Sequence, residues 1–144
     1  MIAKAGDIYC VYNKSLKKYT ACQVTKIDES GKKPQANIIS LDWASDELPK
    51  EEELALMKPL YIDYMYWNGT FNLKKVDVNV PSNYVYVGNV KPVNNEDTGT
   101  YGGWSIDIEV YNQFKWEKIP KEQRDVFKAA DASSEHVEFE GNRR

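Results

Sequence analysis

Alternating apolar and polar positions predict β-strands through much of the first part of this chain. Segments 7–12, DIYCVY, and 18–27, KYTACQVTKI, flank a short polar turn, which predicts a β-hairpin. A loop marked by Gly31 and Pro34 follows, and segment 36–43, ANIISLDW, predicts a third strand. The chain is therefore expected to begin with β-structure.

A helix is predicted over residues 45–58, SDELPKEEELALMK. Pro49 lies near its first turn, where a missing N–H costs nothing, and three glutamates follow. Leu54 and Met57 fall on one side and supply an apolar face, and Pro59 ends the helix.

The segment 60–67, LYIDYMYW, predicts a fourth strand that is apolar on both sides, and Asn68-Gly69 predicts a hairpin turn after it. A carboxylate is costly to bury, so the face without Asp63 is assigned to the core. That core face consists of Leu60, Ile62, Tyr64 and Tyr66. The face with Asp63 is predicted to be a partly exposed patch, formed by Tyr61, Met65 and Trp67.

Further strands are predicted at 71–80, at 84–90 with Gly88 at a β-bulge, and at 104–110 after a long loop. The last of these, WSIDIEV, alternates over its whole length. Its inward side chains are predicted to be Trp104, Ile106, Ile108 and Val110. Its outward side chains are predicted to be Ser105, Asp107 and Glu109.

A second helix is predicted over 116–131, with Pro120 at its start and an apolar face formed by Ile119, Val126 and Phe127. Residues 1–130 are expected to form a single α+β domain, and residues 131–144 a mobile tail. The predicted fold is a mainly antiparallel, strongly bent sheet or small SH3-like barrel with two short helices.

The composition excludes some classes of function but does not identify one. The net charge of −3 creates no general attraction to nucleic acid or anionic lipid. No apolar run approaches the roughly 18 residues of a membrane span, and the N-terminal segment lacks a secretory leader, so we expect a cytoplasmic protein. Ten tyrosines and four tryptophans are explained either by strand formation or by a protein-binding surface.

The two cysteines lie on the two strands of the predicted hairpin. If Tyr12 pairs with Thr20, Cys10 lies opposite Cys22, close enough for a disulfide to be conceivable. Because the chain carries no secretory signal, we expect both thiols to be reduced and buried.

Candidate catalytic chemistry is sparse. The single histidine, His136, falls in the predicted tail, which argues against a histidine base and against a zinc site, and no phosphate-binding glycine motif is present. Asp63, Asp107 and Glu109 would allow a carboxylate pair, but carboxylates on the outer face of a strand are usually only solvated. We therefore expect a protein that is not an enzyme and uses no cofactor and no metal.

The opening KAGDIYCVYNKSLKKYTACQVTKID resembles the start of bacterial immunity proteins from polymorphic-toxin and contact-dependent growth inhibition systems. Those proteins begin with a Gly-Asp-aromatic-aliphatic strand, a short hairpin and a second strand of the form Tyr-x-x-x-x-Val. The matching positions here are Gly6, Asp7, Ile8, Tyr19 and Val24. The later YVYVGNVKP is similar to a second landmark of that group, and the segment from Thr98 onward matches none.

The resemblance implies a cytoplasmic antitoxin that binds and neutralises a toxin, often a nuclease, delivered by neighbouring bacteria. It implies no particular site residue. The same opening is also similar to SH3-like barrel ribonucleases of toxin–antitoxin systems, so such a ribonuclease or a nucleic-acid-binding adaptor is the alternative. Against that alternative, the chain lacks the early basic residues and the Pro-x-Arg type of loop that such ribonucleases use on RNA, since Pro34 stands between Lys33 and Gln35.

The candidate partner-binding surface joins aromatic anchors to carboxylates that would steer a basic toxin domain. Its members are Tyr61, Asp63, Trp67, Asp107, Glu109 and Tyr111. This surface requires segments 60–67 and 104–110 to be neighbours. The alternative is that Tyr61 and Trp67 are half-buried strand residues covered by a helix.

Overall fold

The computed structural model describes residues 1–64, 69–97 and 100–132, and the side chains as far as residue 126. The strands are β1 Asp7–Asn13, β2 Lys18–Asp28, β3 Gln35–Ser45, β4 Tyr61–Ile62, β5 Thr70–Phe71, β6 Leu73–Asp77 and β7 Tyr84–Asn89. The helices are α1 Glu51–Leu54, α2 Asp107–Glu117 and α3 Lys121–Ala132. The fold is α+β.

Five of the strands form one antiparallel sheet in the order β6-β3-β2-β1-β7, and β4 and β5 form a separate two-stranded hairpin. The predicted antiparallel sheet is therefore confirmed. Within the described part of the chain β6 and β7 lie at opposite edges and do not pair, so the sheet is open and not a closed barrel.

The first hairpin has the predicted strands but a different register. Tyr12 pairs with Tyr19, so Cys22 faces Tyr9, and Cys10 faces Ala21. The turn sets this register, because the Asn13 side chain accepts a hydrogen bond from the Leu16 N–H and its carbonyl accepts one from Lys17.

The shift by one residue puts the two cysteines on opposite faces of the sheet, because side chains alternate along a strand. Both thiols are free and buried, as expected, and burial raises the pKa of Cys10 to about 12.

The sheet is covered on both faces, and each face has its own apolar core. The first core joins strand residues such as Tyr9, Val24 and Ile38 to residues of the C-terminal segment. The second core joins Ile8 and Ile39 to residues of the segment after β3. A sheet that is buried on both faces explains why the strands have long runs of buried residues instead of a strict alternation.

Helix α2 covers the first core and α1 covers the second. Val110 and Trp116 of α2 are at most 1 % exposed, and Leu54 of α1 is 2 % exposed. Leu54 packs so closely on β7 that a Cβ at Gly88 would lie 2.4 Å from its Cδ1. The predicted bulge at Gly88 is confirmed, because the register between β1 and β7 shifts next to it, leaving Val87 without a partner on β1.

Segment 104–110 is where the predicted secondary structure was wrong. It is not a strand, because α2 begins at Asp107 and runs to Glu117. Ile106 and Val110 are buried one helical turn apart, while Ile108 is 52 % exposed, which is the opposite of its predicted position. Ile106 and Val110 are four residues apart, which is a helical spacing within an alternating segment, and the buried Gln113 and Trp116 continue the helical pattern.

The remaining predicted elements are partly confirmed. Leu54 and Met57 are buried as expected, although α1 is only four residues long. The last helix begins after Pro120 as predicted and continues to Ala132, past the expected domain boundary at residue 130. Val126 is 67 % exposed and does not belong to an apolar contact face. The rest of the predicted tail, residues 133–144 with His136, lies outside the described residues.

Among the described helices, none has both the length and the apolar character needed to cross a membrane.

Asn112 on α2 generates a prediction about stability. Its side chain is 0 % exposed, and neither its Nδ2 nor its Oδ1 has a hydrogen-bond partner in the described structure. We expect Asn112→Leu to raise the free energy of unfolding by about 1–3 kcal/mol, because it removes two unpaired polar atoms at similar volume. Urea denaturation measures this difference.

The matched control is Asn95→Leu in an exposed loop, which should change the free energy of unfolding by less than about 0.5 kcal/mol. A loss of stability in Asn112→Leu would contradict the assignment of Asn112 as an unpaired amide.

Candidate functional site

The β4–β5 hairpin presents Tyr61 and Asp63 at the surface. Leu60, Ile62 and Tyr64 are at most 5 % exposed, which confirms the predicted core face, while Tyr61 is 55 % exposed. The Tyr61 ring packs edge-on against Phe71, with 5.7 Å between centroids. Segment 65–68, with Met65, Tyr66 and Trp67, lies outside the described residues.

The Tyr61 ring also lies close to Gly69, just before β5. Gly69 has a φ of +82°, and a Cβ at Gly69 would lie 2.6 Å from the Tyr61 ring. The glycine is therefore required both by its backbone conformation and by the position of the tyrosine.

Gln113 of α2 attaches this hairpin to the rest of the protein. Its Oε1 accepts hydrogen bonds from the backbone N–H groups of Asp63 at 2.8 Å and of Tyr64 at 3.1 Å. Its Nε2 donates to Asp63 Oδ1 at 2.8 Å and to Glu117 Oε2 at 2.9 Å. Since Gln113 is only 2 % exposed, these four bonds hold both carboxylates in fixed positions.

Asp63 and Glu117 are both bonded to Gln113, and Asp42 lies near enough to Glu117 to raise its pKa, so we call Asp42, Asp63 and Glu117 the acidic cluster. Partial burial of the Glu117 carboxylate, together with repulsion from Asp42 and Asp63, raises the pKa of Glu117, and Arg124 opposes that rise. Arg124 and Asp63 line the same shallow depression beside Trp116. Lys121 and Asp125 line the same depression, and the repulsion that Glu117 experiences is partly offset by Gln113 and Arg124.

The other predicted site residues divide between two sides of α2, because each residue turns the helix by about 100°. Glu109 lies one turn before Gln113, on the same side, and its Oε1 pairs with Lys74 Nζ at 2.8 Å. Asp107 and Tyr111 lie on a different side of the helix. Asp107 is exposed in the first turn of α2, whereas Tyr111 is buried at 8 % exposure and is not the outward residue that a strand would have made it.

Three residues of this site, Gln113, Glu117 and Asp42, are not among those predicted from the sequence. Glu109, Gln113 and Glu117 are spaced four residues apart, which is the signal of one helix face, but the strand assigned to 104–110 hid it. For Asp42 no sequence signal exists, because only the packing of β3 beside α2 brings it to Glu117.

A second polar group lies at the far end of β2 and β3. Lys75 Nζ pairs with Asp28 Oδ2 at 2.6 Å, and Asp97 accepts hydrogen bonds from Asn37 at 2.7 Å and from Lys26 at 3.0 Å. The hydrogen bond from Lys75 lowers the pKa of Asp28, and that from Asn37 lowers the pKa of Asp97. The bonds to Asp97 hold the loop after β7 against the sheet. Each charged side chain in these pairs is neutralised by one of opposite charge.

No group of three or more His, Cys, Asp or Glu side chains is placed to hold a metal ion in the described ranges.

The raised pKa of Glu117 predicts a pH effect on stability. The folded protein binds the Glu117 proton more tightly than the unfolded chain, so this residue stabilises less as pH rises from about 4.5, its ordinary value, through the raised pKa. We expect Glu117→Gln to be more stable than the wild-type protein at pH 7, with a difference that shrinks below pH 4.5. Urea denaturation across this pH range measures it.

Glu29→Gln, at an exposed glutamate of the β2–β3 loop, is the control and should show no such pH-dependent gain. A Glu117→Gln variant that loses stability at neutral pH would show that the glutamate charge is favourable there.

Comparisons of the chain with protein-family models, with curated proteins and with solved structures each find no match. The function is therefore inferred from the residues and geometry described above.

Proposed function

We propose that this protein is an immunity protein, an antitoxin that binds and neutralises a cognate basic toxin domain delivered by neighbouring bacteria. The observation that carries the proposal is the juxtaposition of the exposed Tyr61 with the acidic cluster, both held to α2 through Gln113. We place the partner-binding site there, and the protein acts by occupation and not by turnover.

Each part of this surface has a physical role in binding. Tyr61 presents a large apolar ring with a polar tip, which is the type of anchor that dominates many protein interfaces. The carboxylates of the acidic cluster would attract a basic partner and speed its approach. Because Gln113 already fixes Asp63 and Glu117, little conformational freedom is left to lose on binding.

The electrostatics of the free protein favour a cationic partner specifically. Besides partial burial, repulsion of Glu117 by Asp42 and by Asp63 contributes to the raised pKa of Glu117. A lysine or arginine from the partner would relieve this repulsion and form charge-assisted hydrogen bonds with the carboxylates. The cluster is thus better matched to a basic partner than to solvent alone.

The resemblance of the N-terminal segment adds to the proposal, and its residues have structural roles here. Gly6 has a φ of +93°, and a Cβ there would lie 2.7 Å from Asn89 Oδ1. Asp7 is 5 % exposed and accepts hydrogen bonds from Tyr9, Lys4 and Asn89. These residues fasten β1 to β7 and build the scaffold, which leaves partner choice to the surface at α2.

The alternative function, an SH3-like barrel ribonuclease or nucleic-acid-binding adaptor, would use the basic end of the sheet. Lys32 and Lys33 are exposed there and share a pocket with Lys75. We favour it less, because Lys75 is paired with Asp28 at 2.6 Å and the net charge of −3 opposes a polyanion. Salt-dependent binding to RNA would support this alternative.

The proposal is tested first by finding the partner. The reading frame just upstream is expected to encode the C-terminal toxin part of a large secreted protein. That toxin domain is then used as the ligand in a pull-down. In a second assay, it is expressed in the cytoplasm of a bacterial host with and without this protein, and growth is measured. Failure to bind the toxin domain and to rescue growth would overturn the proposal.

The acidic cluster predicts a change in association rate. Asp63→Asn with Glu117→Gln removes two charges but keeps both acceptors for Gln113. We expect the association rate constant with the toxin domain to fall by about tenfold at low salt and to depend less on ionic strength. Stopped-flow or surface plasmon resonance measures this.

The matched control is Glu29→Gln with Glu96→Gln, which removes the same charge from exposed loops at the opposite end of β2 and β3. An equal loss of rate in both double variants would show that only net charge matters and that the acidic cluster is not the site.

Tyr61 predicts a change in dissociation rate. We expect Tyr61→Ala to weaken the complex by about 30-fold, which corresponds to about 2 kcal/mol for an anchor residue, mainly through faster dissociation. Its thermal stability should stay close to wild-type, because half of the side chain is exposed. Tyr101→Ala, at a tyrosine that is 70 % exposed, is the control and should bind normally.

A further inference from the structure

The two edge strands of the main sheet differ in whether another backbone segment is hydrogen-bonded to them. At the β6 edge, segment 100–102 runs alongside the strand, with Lys75 N–H donating to the Thr100 carbonyl at 2.8 Å and Gly102 N–H to the Lys75 carbonyl at 3.1 Å. At the other edge, β7 has β1 on one side and no strand on the other within the described ranges. Half of the backbone hydrogen-bonding groups of an edge strand point away from its neighbour.

The open edge lacks the usual protection against pairing. Segment 80–90, VPSNYVYVGNV, contains no charged residue in a chain that is 28 % charged. Natural edge strands are commonly guarded by charges, by proline within the strand or by bulges. Here Pro81 precedes the strand and the bulge is at Val87, next to Gly88, which leaves Tyr84–Tyr86 in regular pairing with β1.

Exposed apolar side chains lie on both faces of the sheet beside this stretch. Tyr86 is 44 % exposed and shares a surface pocket with Met1 and Ile2, which are 74 % and 55 % exposed, and with the charged Lys4 and Asp7. Val85 is 40 % exposed on the face where Tyr12, at 45 %, also lies, since Val85 pairs with Cys10, two residues before Tyr12. An approaching strand would therefore meet apolar contacts on both sides.

We propose that β7 pairs with β7 of a second copy of this chain, antiparallel about a twofold axis, so that two sheets become one continuous sheet. A twofold axis places like residues near like residues, and a strand with charges of one sign would repel itself. The uncharged segment 80–90 avoids that repulsion and is therefore compatible with pairing to the same strand of a second copy. This pairing does not depend on the proposed antitoxin function.

The dimer leaves the acidic cluster accessible. Asp42 of the acidic cluster is on β3, and β3 is separated from β7 by β2 and β1 in the sheet. Each copy can therefore bind one partner independently.

Sedimentation velocity of the full chain over a range of concentrations tests the proposal. We expect a reversible monomer–dimer equilibrium, and we expect Val85→Lys with Tyr86→Lys to raise the dimer dissociation constant by about tenfold or more, because it places like charges across the twofold axis. Amide hydrogen exchange gives a second measurement, with protection of β7 that increases with protein concentration.

The matched control is Leu56→Lys with Ile108→Lys, which adds the same charge at residues that are 76 % and 52 % exposed elsewhere, and it should still dimerise. Circular dichroism checks that every variant is folded. A wild-type protein that stays monomeric at all concentrations, or an equal loss of dimer in the control, would overturn the proposal. If the wild-type chain is monomeric and the β7 variant binds the toxin domain less well, the edge receives a strand of the toxin instead.

Discussion

Burial of the central strands on both faces is the constraint on which the rest of the fold depends. Tyr9 and Val11 of β1 face one core, and Ile8 and Cys10 face the other. Neither face can be left in water, because burial of such side chains is the main favourable term in folding. The chain after β3 therefore has to cover two surfaces, and it does so with α1 on one and α2 on the other.

Covering both faces also buries polar groups, and most of these are paired. Gln23 is 0 % exposed, and its amide bonds to the backbone of Gly6, Val90, Lys91 and Val93. One buried glutamine thus fastens the loop after β7 over the second core, as Gln113 fastens the β4–β5 hairpin over the first. The two amides use the same chemistry, with donor and acceptor each satisfied by backbone or carboxylate.

The proposed function follows from what this covering layer exposes. Gln113 has to satisfy the backbone of Asp63 and Tyr64, and its remaining donor capacity holds Asp63 and Glu117 beside Asp42. The same contact that closes the first core therefore concentrates negative charge at the surface next to Tyr61. The opposite edge, β7, keeps a neutral apolar character, so the molecule presents two chemically different surfaces to other chains.

The sequence by itself determined β1, β2 and β3, the buried side of segment 60–64 and the bulge at Gly88, because local alternation and turn residues carry that information. It did not determine the register of the first hairpin, which depends on the hydrogen bonds of Asn13 in the turn. It also did not determine the helix at 107–117, because the first residues of that helix alternate as a strand would. Only the tertiary structure decided that α2 lies on the first core with Gln113 against Asp63. That contact joins residues fifty positions apart, and no local pattern encodes such a separation.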